Sequence, residues 1–150
     1  MAYQAAFDLK DILTLSLASI GAALGVLNTW KVFARDRGKL RVVPKHAIPI
    51  GAVDPRLTFC IEVINVGGVA LTVKEVGVFH QGTSKRSAVI TPVISDQGPW
   101  PRRLEPRSAV TVYAQGASLR VPGHPIRCAY AMTDCGRTFE GNSPALNDFQ

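Results

Sequence analysis

Two patterns of apolar and polar positions divide the chain near residue 39. From Ile12 to Trp30 no residue is charged, and nineteen positions read as one apolar stretch diluted by Thr14, Ser16, Ser19, Asn28 and Thr29. From Lys39 onward the apolar residues come in short, β-branched runs separated by Gly, Pro, Ser and Asp clusters. The first texture predicts a continuous helix and the second an all-β domain.

As a helix, the uncharged stretch is about 28 Å long, close to the roughly 30 Å hydrocarbon core of a bilayer. Trp30 at its end suits the interfacial aromatic belt, and Lys31 and Arg35 can extend from the helix end to headgroups. Serine and threonine hydroxyls are tolerated in lipid because they can return their hydrogen bonds to the helix backbone. A buried helix of a soluble domain is the competing reading, and the flanking charge favours the membrane. A cleaved signal peptide is not expected: Asp8 and Asp11 precede the apolar run and the basic residues follow it, which is the layout of an uncleaved anchor.

In the second part, alternation predicts strands at Leu40–His46, Leu57–Asn65, Ala70–His80, Ser87–Ile94, Ala109–Ala114, Ile126–Thr133 and Thr138–Gly141. Seven short strands over this length imply a small antiparallel sandwich. Asn65-Val66-Gly67-Gly68 and Asp134-Cys135-Gly136 supply turns between them. The expected organisation is a short head over 1–11, a transmembrane helix over 12–30, a basic juxtamembrane segment over 31–39, the sandwich over 40–141 and a loose tail over 142–150.

Certain of these segments resemble a known type of protein. The uncharged helix, the junction Trp30-Lys31 to Arg35-Asp36-Arg37-Gly38, the run from Ile64 to Val78 and the run from Pro101 to Tyr113 are similar to small single-pass bacterial or phage-encoded membrane proteins. Those proteins carry an immunoglobulin-like β-sandwich after one anchor. The resemblance rests on an Asn-x-Gly turn, here Asn65 and Gly67, and on a Leu-x-Pro lead into a strand, here Leu104, Pro106 and Val112. It covers about residues 10–140, and it implies a fold and a location but no reaction.

Charge sharpens the topology. The formal net charge is +6, of which residues 31–45 contribute +5. Lys31, Arg35, Arg37, Lys39 and Arg41 therefore form a membrane-surface basic segment suited to anionic lipid headgroups. Basic residues beside a span favour the cytoplasmic side, so the expected location is the inner (cytoplasmic) membrane, N-terminus outside and C-terminal domain in the cytoplasm. Within the helix, Gly21 and Gly25 form a GxxxG pair, and Ala18 and Ala22 a second small pair, which lets two helix backbones approach closely. Homo-oligomerisation, or packing against the helix of an unidentified protein partner, is expected there.

Chemistry is thin by comparison. His46, His80 and His124 stand apart, no C-x-x-C or H-x-x-x-H spacing occurs, and the expectation is three surface imidazoles with no metal and no cofactor. No nucleophile motif or phosphate cradle is present, so no catalytic residue is assigned and no enzyme is expected. Strand alternation puts Cys60 outward with Thr58 and Glu62, and Cys128 inward with Ile126, Tyr130 and Met132, which argues against a bridge between them. Cys135 reads as an exposed thiol. Trp100, Arg102 and Arg103 form a candidate contact group, with Trp100 either a plug against the sandwich or an exposed contact. The strand faces lack the basic and aromatic interleaving of a nucleic-acid platform, so no nucleic acid is expected. The expected function is that of a membrane-anchored binding or scaffold protein. The alternative is a structural or accessory component of a larger assembly, for example a phage-encoded one, in which the helix packs against protein.

Overall fold

A computed structural model describes residues 9–35, 38–51 and 53–149. The head before Leu9 and the site residue Arg37 lie outside the described residues. The chain divides into two compact units, Met1–Asp36 and Arg37–Gln150. The first contains one apolar helix, α1 (Leu9–Arg35), of 27 residues. It outruns the uncharged stretch at both ends, so Lys31 and Arg35 of the basic segment are helical.

The second unit is built of strands: β1 (Leu40–His46), β2 (Phe59–Asn65), β3 (Leu71–His80), β4 (Arg86–Ala88), β5 (Val93–Ile94), β6 (Arg102–Leu104), β7 (Ala109–Ala114), β8 (Ile126–Thr133) and β9 (Thr138–Gly141). They make two antiparallel sheets. One has the order β1-β2-β7-β5; the other has the order β4-β3-β8-β9, with β6 also paired to β3. The strand count is nine, not seven. The single strand expected over Ser87–Ile94 is two short ones on different sheets. Pro92, which has no N–H to give a ladder, lies between them. The added strand β6 is three residues long, too short for an alternation pattern to reveal it.

The core lies between the sheets. Phe59, Ile61, Val63, Val110 and Val112 enter it from one sheet, and Val73, Val76, Val78, Ala129 and Ala131 from the other. This corrects the facing of β8. The pairing of β8 with β3 shifts register between Phe79 and His80, which partner Cys128 and Ile126 and leave Arg127 as the extra residue of a bulge. A bulge reverses the inward–outward phase. Ile126 therefore points inward, but so do Ala129 and Ala131, while Cys128 and Tyr130 turn to the outer face. The tail is also more ordered than expected. Pro144–Phe149 winds into a 3-10 turn that puts Leu146 in the core.

The sheets meet along one side. A Cβ built on Gly141 of β9 would lie 1.8 Å from the Val42 carbonyl oxygen of β1, so only glycine permits this approach. The Ser143 hydroxyl donates to the Pro44 carbonyl just beyond it. Proline suits β1, which pairs with β2 alone and so is an edge strand.

One end of the unit is gathered around Asn65. The backbone N–H groups of Val66 and Gly67 both donate to the Lys39 carbonyl, at 3.0 and 3.2 Å. Arg107 N–H donates to the Asn65 carbonyl, and Asp134 N–H donates to Thr72. The chain enters the unit at Lys39, so the loops 65–70, 104–108 and 133–137 share that entrance end.

Candidate functional site

The helix is the most distinctive surface. Lys10–Val32 is long and apolar enough to cross a membrane, with a mean hydropathy of 1.7, and none of it is buried within the protein. Its hydroxyls are satisfied internally. Thr14, Ser16, Ser19 and Thr29 each donate to the carbonyl four residues earlier, at 2.7 to 2.9 Å. The side chains that dilute the stretch therefore offer few unmet donors to the surroundings. Ala18, Gly21, Ala22 and Gly25 follow the three-and-four spacing of one helix face. A Cβ added at Gly21 or Gly25 would meet nothing within 4 Å, so that face is open.

The basic segment is divided between elements. Lys31 is exposed on α1, Arg35 is the last residue of that helix, and Lys39 and Arg41 are exposed at the start of the β unit.

Trp100, Arg102 and Arg103 fall on and beside β6. Trp100 packs against the core, and its indole N–H donates to the Lys74 carbonyl at 3.1 Å. Arg102 pairs with Asp96, and the exposed Arg103 pairs with Glu105 at 2.9 Å.

The outer face of the second sheet carries a linked polar group that includes Tyr130, which alternation placed on the inward face. The Tyr130 hydroxyl, on a side chain with no exposed surface, donates to Glu75 at 2.5 Å, and Arg86 pairs with Glu75 at 3.2 Å. Phe79 stacks at 4.5 Å from the Tyr130 ring, and Arg127 covers Phe79 while pairing with Glu140. Burial first, and the Glu75 hydrogen bond second, push the Tyr130 hydroxyl well above its ordinary pKa. The arrangement ties β3, β4, β8 and β9 together. It holds no nucleophile–base pair.

All three cysteines are free thiols. Cys60 and Cys128 are on the outer faces of opposite sheets, with the core between them. Burial raises the pKa of both, and for Cys128 a hydrogen bond to Glu140 adds to the effect. Cys135 is exposed at the β8–β9 turn, where the Thr133 hydroxyl 3.1 Å away lowers its pKa.

The histidines are not all at the surface. His46 is exposed beside Asp148, but His80 is buried, with its ring nitrogens on the His124 carbonyl and the Ser87 hydroxyl. No three His, Cys, Asp or Glu side chains are grouped to hold a metal ion among the described residues.

The segment between β1 and β2 carries no motif in the sequence. Ile48 and Ile50 there are largely exposed, and with Val93 and Tyr113 they line an open apolar cleft of about 410 Å³. The signal was a short apolar loop between strands, which alternation does not reveal.

No family model matches the chain, and no curated protein matches it. Among solved structures, the X-ray structure of the Northeast Structural Genomics Consortium target SoR45 is similar at 13% identity, covering 71% of this chain and 82% of that one, with a TM-score of 0.26. A likeness of that size carries no argument about fold or function.

Proposed function

We propose that the chain is a single-pass, membrane-anchored, non-enzymatic binding or scaffold protein. Its helix spans the inner membrane with the N-terminus outside, and an immunoglobulin-like sandwich stands at the cytoplasmic surface. The observation that carries this reading is α1: Lys10–Val32 is apolar and unburied, and its hydroxyls are bonded to its own backbone. An exposed apolar helix of this length needs a non-aqueous surrounding. The basic residues on its C-terminal side support the orientation. Two facing antiparallel sheets around one core support the sandwich, and the open small-residue face at Gly21 and Gly25 supports helix–helix association.

That same open face favours a second reading, in which the helix packs into a protein assembly and not into lipid. Carbonate extraction separates the two. With a C-terminal reporter, the anchor reading expects the protein to stay in the membrane pellet and the reporter to resist external protease. Release into the supernatant would make an assembly component the better reading.

A further inference from the structure

The entrance end of the β unit gathers basic side chains that are scattered in sequence. Lys39, Arg41, Arg103, Arg107 and Arg137 are exposed there, against Glu105 and Asp134. Arg103 and Glu105 neutralise each other at 2.9 Å. Lys39, Arg41, Arg107 and Arg137 make no ion pair among the described residues. Elsewhere on the unit, Lys45, Arg56, Arg86, Arg102 and Arg127 each lie against a carboxylate. Among the described residues Lys74 and Lys85 are also exposed without an ion pair, but they stand singly, whereas four unmatched bases share the entrance end. Val66, half exposed at the turn whose N–H groups hold Lys39, adds an apolar tip between Lys39 and Arg107.

We propose that this end face, centred on Lys39, Arg107 and Arg137 with Val66 at its tip, docks the β unit onto an anionic lipid surface. The proposal rests on the membrane-anchor reading above and adds a second, reversible contact to it. Charge complementarity selects a phosphate- or carboxylate-bearing surface. The tether selects lipid over nucleic acid. Lys39 follows Trp30, the end of the proposed span, by nine residues in sequence, so this face belongs to a chain that the proposed anchor already holds at a lipid surface.

Cys135 offers a native reporter, because it is exposed in the 133–137 loop of this face while Cys60 and Cys128 are buried. The full chain is reconstituted into nanodiscs of phosphatidylcholine, with or without phosphatidylserine, and the rate of alkylation by a bulky water-soluble maleimide is followed at Cys135. Docking predicts several-fold slower alkylation on the anionic discs, restored by high salt and by Lys39→Glu or Arg107→Glu. A thiol at the opposite end, Ser84→Cys in a Cys135→Ser background, is expected to react equally on both discs. Equal Cys135 rates on both discs, with the chain fully incorporated, would overturn the docking and leave the anchor standing. A chain that fails to incorporate into either disc would overturn the anchor reading itself. Protection of Cys135 by a single-stranded oligonucleotide on neutral discs, without protection by anionic lipid, would assign the face to nucleic acid and also overturn the proposal.

Discussion

The side-chain amide of Asn65 donates to the carbonyl of Leu104, 39 residues further along the chain, at 3.0 Å. The same amide donates to Val69 at 2.8 Å, and its oxygen accepts from the Gly67 N–H at 3.0 Å. Asn65 has no exposed surface, so it closes the β2–β3 turn and fastens that turn to the end of β6. The Asn-x-Gly and Leu-x-Pro segments noted in the sequence are therefore two halves of one buried hydrogen-bonded joint.

Replacing Asn65 with alanine leaves the buried Leu104 carbonyl and the part-buried Val69 carbonyl without this donor. The expected loss is about 2–3 kcal/mol, because an orphaned buried acceptor costs more than a hydrogen bond contributes on average. Urea unfolding followed by Trp100 fluorescence would measure it, and an unchanged midpoint would show that the joint is dispensable.

Gly141→Ala tests the meeting of the two sheets. The added methyl would fall on the Val42 carbonyl, and backbone on both sides limits relaxation. Overpacking of this kind costs about 1–3 kcal/mol. Gly21→Ala is the internal contrast: nothing lies near it, and helix propensity favours alanine by about 1 kcal/mol. Thermal unfolding of the β unit should fall with the first variant and be unaffected by the second.

Gly21→Leu or Gly25→Leu should abolish self-association of the full chain in detergent, since a branched side chain props the small-residue face away from its neighbour. Sedimentation of the wild type and both variants reads this directly. A wild type that sediments as a monomer would remove oligomerisation from the proposed function.

Tyr130 gives the β unit an alkaline limit. Its pKa is raised in the folded state by burial and by the bond to Glu75. A raised pKa favours the protonated form of the fold, so the stabilisation is present below the unfolded tyrosine value of about 10 and is lost as pH rises past it toward the folded value. Tyrosinate absorbance should show Tyr130 ionising above the ordinary tyrosine range, together with loss of structure. Tyr130→Phe should weaken the neutral-pH fold but flatten its alkaline decline.

The sequence revealed elements wherever one periodicity ran unbroken. β1, β7 and β9 have the expected limits because their alternation starts and stops at clear turn residues, and β8 keeps its limits because turns bound it although its alternation is broken. The facing of Cys128 and Tyr130 was misread because a bulge at Arg127 inserts one residue without any compositional mark. β4 and β5 were merged because neither is long enough to show a period of its own. The helix surface was legible, down to the return of its hydroxyls to the backbone, since all of its determinants are local. The basic end face was not. Arg107 and Arg137 join Lys39 only through the pairing of β2, β3, β6 and β8, which no local pattern encodes.

The edges of the two sheets have a consequence for how copies behave side by side. β1 and β9 cover each other, and the remaining margins are β4, β5 and β6, of two or three residues each. A growing cross-β stack needs a longer row of unpaired amides to copy than any of these offers. The short margins therefore disfavour strand recruitment between neighbouring copies.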